Sequence, residues 1–428
     1  MDGRMKQNSL KFLALVIAIA IWTIACQSIR LPEIATTAAP VTIKLSGWTA
    51  SPVEQNLLKK LLRDFEAQHP EIAVKYEAIN DQYMDVIKTR LIGEAAPDVF
   101  YLDALEAPFL MSQKVLEPLD TYLTPKFDVA DFEATLINSF KYDRHLYGLP
   151  KDYSTLSLFY DRQAFKAAGL TSPPTNWEQL RNYSQQLTLD RNRDGKIDRY
   201  GYGVIPELAR QAYTIGAFGG RLVEENGRAA FASEAGLKGL ESIVEQYQKE
   251  RTSAQKSDVG TNSGSEMLGQ GKVAMAIEGN WAIPYLQETF PQLDFATAEV
   301  PSINNKKGTM VFTVAYVMNQ RSQHKAAAWQ LISYLTGKEG MSKWTSTGIA
   351  LPSRQSVAQK LGYQQDPLRS PFVAGVEYAM PWQAGKYPAA IVNNFDNQFL
   401  SAMLGQQPLP QAMSKAQADA NRQIKSIE

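Results

Sequence analysis

Histidine and cysteine are almost absent from this 428-residue chain, which has three His and one Cys. A single cysteine excludes any intrachain disulfide. His69, His145 and His324 are scattered, and neither G-x-S-x-G nor H-E-x-x-H occurs, so the usual signatures of serine-hydrolase and zinc-peptidase chemistry are missing. Net charge is absent as well. Lys plus Arg total 44 and Asp plus Glu total 44, so no overall field draws the chain to nucleic acid. Long apolar runs are lacking except for Phe12 to Ala25, which follows Arg4, Lys6 and Lys11 and runs directly into Cys26. Fourteen residues suit the core of a secretory signal better than a bilayer span.

Aromatic side chains are abundant, at 10% of the chain with 19 Tyr and 7 Trp, and their flat apolar faces with polar edges suit sugars. The length predicts two domains with sizeable cores. The most informative stretch is Gly269 to Pro284, G-Q-G-K-V-A-M-A-I-E-G-N-W-A-I-P. Val273 to Ile277 reads as a buried strand, broken by Gly279-Asn280 before Trp281. In open α/β sheets ligands meet the carboxyl ends of strands, which puts Glu278, Asn280 and Trp281 where a ligand would arrive. Trp48 follows the strand Val41 to Leu45, and Tyr101 with Asp103 ends the strand Asp98 to Leu102, so three strand ends carry aromatic or polar groups. Between them a helix bearing Leu57, Leu58, Leu61, Leu62 and Phe65, the strand Ile72 to Ala78 and a helix over Tyr83 to Leu91 complete a βαβαβ rhythm.

Tyr147 to Asp161 is a long extended segment with Pro150 near its start and reads as a crossing between lobes, with Asp152 and Tyr153 beside the cleft. Thr175 and Glu178 predict a capping box for the helix carrying Trp177, Leu180, Tyr183 and Leu187. At Asp190 to Asp198, D-R-N-R-D-G-K-I-D, the oxygen side chains of Asp190, Asn192, Asp194 and Asp198 follow the spacing of an EF-hand loop through its ninth position. Gly201 stands where the twelfth position wants Glu. A calcium loop and an Asx-type turn both fit.

Taken in order, T-I-A-C at 23–26, P-D-V-F-Y-L-D at 97–103, Y-G-L-P at 147–150, L-F-Y-D at 158–161, F-G-G at 218–220 and G-K-V-A-M-A-I-E-G-N-W at 271–281 resemble one family. It is that of the extracellular solute-binding proteins of sugar ABC importers, the maltose-binding-like group. The resemblance implies an α/β, two-lobed type II periplasmic-binding-protein fold with an interdomain cleft and crossing hinge strands. It places a lipoprotein signal at 1–26 ending on lipidated Cys26, a tether at 27–40, one lobe at 41–150 with 302–350, and the other at 151–301 with 351–428. By position it implies ligand contacts from Trp48, Asp103, Tyr153, Asn280 and Trp281, extended to Glu278, Phe312, Trp382 and Tyr387.

The expected protein is then an exported, lipid-anchored, monomeric binding protein that hands its ligand to ABC permease subunits. No enzyme activity and no cofactor are expected, apart from calcium in the Asp190 loop. None of the proposed contacts belongs to an Arg or Lys cluster, which favours a neutral disaccharide, oligosaccharide or sugar-polyol. A secreted glycosidase or lyase using paired carboxylates, and a binding protein for a non-sugar solute such as a polyamine, are the competing readings.

Overall fold

The structure is a computed structural model that describes residues 39–49 and 52–428. The signal segment 1–26 with Cys26, and residues 27–38 of the tether, lie outside the described residues. Twelve strands are present among the described residues: β1 (Val41–Gly47), β2 (Ile72–Ala78), β3 (Val99–Asp103), β4 (Lys141–Tyr142), β5 (His145–Leu146), β6 (Gly148–Asp161), β7 (Tyr200–Gly203), β8 (Ser253–Ala254), β9 (Val273–Gly279), β10 (Phe295–Ala298), β11 (Thr309–Met318) and β12 (Ala379–Pro381). A mixed sheet runs in the order β2-β1-β3-β11-β6-β9-β7-β8, with β10 added to β6 and β12 to β11, while β4 and β5 form a separate hairpin. No helix among the described residues is long and apolar enough to cross a membrane.

The expected amino-terminal rhythm is present. Leu58, Leu61, Leu62 and Phe65 form the buried face of the helix Pro52–Gln68, which packs against β2. β1 lies between β2 and β3 with all three parallel, so the carboxyl ends of β1, β2 and β3 face the same way. The helix expected to be capped by Thr175 spans Trp177–Leu187, and its cap is Asn176, whose side chain accepts the Gln179 N–H at 2.9 Å. Gln179 Oε1 in turn accepts the Thr175 N–H at 2.9 Å, a reciprocal cap shifted by one residue.

β6 is the element shared by the whole sheet. Gly148 to Thr155 pairs antiparallel with β11, whereas Leu156 to Tyr160 pairs with β9 and Leu158 to Asp161 with β10. Residues 148–159 are all buried, so their carbonyls need protein partners. Pro150 has no N–H to offer, and the β11 register slips there, from Asp152↔Val314 to Pro150↔Ala315. Lys151 is thereby the unpaired residue of a bulge, the device that accommodates proline inside a sheet and re-aims a side chain. Its ammonium pairs with Asp152 and lies 5.1 Å from the Tyr101 ring centroid and 4.3 Å from that of Trp344. Trp344 Nε1 donates to Asp152 Oδ2 at 2.7 Å, so the carboxylate joins the bulge to the helix Lys338–Thr345.

Side-chain hydroxyls add hydrogen bonds to buried β6 carbonyls. Thr313 donates to the Asp152 carbonyl at 2.7 Å and Thr309 to that of Leu156 at 2.8 Å. One apolar core gathers Ile43, Phe65, Phe100, Leu149, Tyr316 and Leu331. A second gathers Leu158, Leu180, Ile215, Phe395 and Met413, and a third Tyr153, Phe159, Leu286, Val311 and Phe372. Within the span 302–350, Ala315 to Trp344 belong to the first core, whereas Ile303, Met310 and Val311 pack into the other two. β11, like β6, thus belongs to both halves.

Thr313→Val keeps the volume but removes the donor to a buried carbonyl. It is expected to lower unfolding free energy by about 1–3 kcal/mol, read from the denaturation midpoint, and an unchanged midpoint would show that the hydroxyl does not support the bulge.

Candidate functional site

β9 is buried along its full length, antiparallel to β6 and parallel to β7, and it delivers Glu278, Asn280 and Trp281 at its carboxyl end. Gly279 is required there, because a Cβ at that position would lie 2.2 Å from the Trp281 ring. The benzo part of the indole therefore lies close against Gly279, and Trp281 caps the helix Ala282–Thr289 with 38% of the residue exposed. Asn280 is fully buried. Its N–H donates to Ser154 Oγ at 3.2 Å and its Nδ2 to the Ile349 carbonyl at 2.9 Å, whereas its Oδ1 is buried without a partner.

Phe312 of β11 meets the Trp281 ring edge-on, with centroids 5.9 Å apart, and Trp382 lies 6.4 Å from Phe312. The Trp382 N–H donates to the Val311 carbonyl at 2.9 Å, fixing the segment after β12 against β11. The structure therefore brings together Glu278, Asn280, Trp281, Phe312 and Trp382 from three separate stretches of chain.

The other candidates sit apart from that cluster. Trp48 packs edge-on against Tyr83 at 4.8 Å and Tyr101 at 5.3 Å, at the adjoining ends of β1 and β3. Asp103 closes β3 and accepts the Leu105 N–H at 2.7 Å, while burial pushes its carboxyl up to about 6. Tyr153 is 2% exposed within the third core, and its backbone exchanges hydrogen bonds with Leu351. Tyr387 is half-buried against the second core, just before the helix Pro388–Met403. Among the described residues no side-chain hydrogen bond or ring contact joins Trp48, Asp103 or Tyr153 to Trp281.

Two cations escaped the sequence reading. Arg210, in the first turn of the helix Leu208–Ala217, holds its guanidinium 5.2 Å from the Trp281 ring centroid and 6.0 Å from that of Phe312. Its Nη2 is 3.1 Å from Glu278 Oε2, and Glu278 is 2% exposed. The site, expected to include no Arg or Lys cluster, thus contains a single arginine whose charge is matched by a buried carboxylate. Its signal was the strand β7, a run of four residues too short and too rich in Gly and Tyr to stand out; read as a strand, it would have marked the loop after it as a ligand edge. Lys151 is the other cation, hidden because a bulge cannot be seen in one strand alone.

The Asp190 loop lies elsewhere in the fold. Asp190 accepts the N–H groups of Asp194 at 3.2 Å and Gly195 at 2.9 Å; Asn192 Oδ1 accepts that of Asp194 at 3.1 Å. Asp194 accepts the Lys196 N–H at 2.8 Å, which like the Asn192 bond is of the Asx-turn kind, and Asp198 closes the loop by accepting the Arg191 N–H at 2.7 Å. No group of three or more His, Cys, Asp or Glu among the described residues is arranged to hold a metal ion.

Two α/β halves joined by shared strands, with aromatic and polar groups at the strand ends, define a ligand-binding protein of the two-lobed kind. Comparison with known proteins agrees: residues 49–342 match the family model of the bacterial extracellular solute-binding protein, and the chain belongs to that family. It is therefore an exported binding protein rather than an enzyme. It is similar to the multiple sugar-binding protein of Streptococcus mutans, 21% identical over 67% of this chain and 69% of that one. It also matches the substrate-binding protein of Listeria monocytogenes in complex with cycloalternan, with TM-score 0.78 and 18% identity over 90% of this chain and 99% of that one. The maltose/maltodextrin-binding domain of Bdellovibrio bacteriovorus bound to maltotriose gives TM-score 0.74 and 22% identity over 90% of this chain and all of that one.

The raised Asp103 carboxyl makes a signed prediction. A carboxyl that holds its proton longer folded than unfolded contributes stability below its ordinary range, near pH 4, and that contribution is lost as pH rises through about 6. Asp103→Asn is expected to add about 1–3 kcal/mol at pH 7 and almost nothing below pH 4. A thermal-melt series over that range in which variant and wild type run parallel would show that Asp103 ionises freely.

Proposed function

We propose that this protein is the cargo-binding component of an ABC importer and that its cargo is an uncharged sugar or sugar-polyol. The observation that carries this reading is the Trp281 indole, partly exposed, edged by Phe312 and following Glu278 and Asn280 at the carboxyl end of β9. An aromatic face accepts the C–H face of a pyranose, and fixed polar groups select among hydroxyl orientations because a mismatched epimer leaves buried groups unpaired. The sugar ligands named for its relatives in Streptococcus, Listeria and Bdellovibrio support the same class. The charge match between Arg210 and Glu278 supports an uncharged ligand.

Cys26 is read as the lipid-bearing first residue of the mature chain, with 27–40 as the tether that keeps the protein near its permease. The protein acts as a monomer in this reading, since one lobed unit suffices to capture one ligand. A structural calcium at Asp190, Asn192, Asp194 and Asp198 is a separate reading, supported by side-chain spacing. Calorimetric titration decides it: heat of binding at or below millimolar calcium supports the ion, and none removes it.

Thermal unfolding of the full-length protein against neutral disaccharides, oligosaccharides, sugar-polyols, acidic sugars and polyamines tests the cargo. A ligand at a hundredfold excess over its Kd adds about 2.7 kcal/mol. A shift with a neutral sugar that is recovered intact is the expected result. A shift with polyamines alone, or a sugar returned cleaved, would overturn it. Trp281→Ala is expected to weaken binding at least about tenfold with the unliganded melting temperature nearly unchanged.

A further inference from the structure

Glu278 and Arg210 leave polar atoms unserved beside the Trp281 indole, and Asn280, the residue before Trp281, leaves another. Glu278 Oε2 and Arg210 Nη1 are buried without a hydrogen-bond partner, as is Asn280 Oδ1, although Arg210 Nη2 sits 3.1 Å from the Glu278 carboxylate. The other carboxylate oxygen, Glu278 Oε1, lies close against Gly264, where a Cβ would approach it to 2.5 Å, and the residue is 2% exposed. The carboxylate therefore holds the guanidinium in place by charge rather than by a well-formed hydrogen bond.

The guanidinium is in turn directed over the ring of Trp281, with Phe312 flanking both. A planar, weakly hydrated cation is suited to lie on an aromatic face, which a lysine ammonium does less well. A Cβ at position 279 would meet the benzo atoms of the indole at 2.2 Å, and the Arg210 guanidinium lies over the ring, so both restrict its orientation.

We propose that Arg210 is a positioning residue of the ligand site: with Glu278 as its counter-charge it sets the orientation of the Trp281 indole. Because the two charges cancel, the platform presented to a ligand carries no net charge. The inference deepens the sugar-binding reading and rests on it for the identity of the ligand, but the packing of Trp281 can be measured without one.

Removing Arg210 alone would leave Glu278 buried without its counter-charge, so the test uses Arg210→Met combined with Glu278→Gln in the full-length protein, and Glu278→Gln alone as reference. The emission of Trp281 is isolated by subtracting the matching Trp281→Phe variant in each background. In the double variant, acrylamide quenching of Trp281 is expected to rise about twofold, and affinity for the sugar found in the thermal panel to fall about tenfold. Arg210→Lys keeps the charge without the plane, so it is expected to raise the quenching too, and it carries the same readout should the double variant not fold. Unchanged quenching overturns the proposal. So does tighter sugar binding, which would mean that the guanidinium occupies the ligand's place. A wild-type protein that binds no sugar would defeat the sugar reading, while the quenching of Trp281 still decides the role of Arg210.

Discussion

The fold depends on satisfying the backbone of β6, a strand buried over residues 148–159 and common to both halves of the sheet. An element in that position has no water to complete its hydrogen bonds, so neighbouring strands and side chains must do so. β11, the buried hydroxyls of Thr309 and Thr313 and the bulge at Lys151 all answer that requirement. Because β6 and β11 each contribute to more than one core, a change in either strand reaches both halves of the protein.

The site is built on the same scaffold and shows the opposite economy of polar groups. Asn280 is anchored through its N–H and Nδ2 to Ser154 and Ile349, joining the end of β9 to β6 and to the stretch before Leu351, yet its Oδ1 is left without a partner. Glu278 and Arg210 share this property. Buried polar atoms without protein partners carry a free-energy cost that a folding protein normally avoids, and at the end of β9 they sit beside a partly exposed aromatic residue. Asp103 follows similar logic at the end of β3, where burial holds its proton well above the ordinary carboxylate range.

Local pattern was sufficient for the amino-terminal βαβαβ unit, because one-sided apolar helices and short buried strands write their periodicity into adjacent residues. It was sufficient too for the strand and turn leading to Trp281, where Gly279 and Asn280 interrupt an apolar run. It failed at β7, whose Tyr200 to Gly203 carries no strong strand signal, and for that reason it missed Arg210 seven residues beyond. The helix Pro388–Met403 went unnoticed beside its aromatic approach at Trp382 and Tyr387.

The amino-acid sequence by itself determined the alternation of strands and helices, the crossing segment and the aromatic strand ends, because each depends on near neighbours in the chain. Only the tertiary structure decided which of those ends meet. Phe312 and Trp382 joined Trp281 because β11 is shared and β12 pairs with it, whereas Tyr153 turned into a core. Arg210 found Glu278 across 68 residues of chain, and Lys151 found Tyr101 and Trp344 through a one-residue slip in register. Pairing, register and burial are properties of two or more segments at once, and no single stretch of sequence contains them.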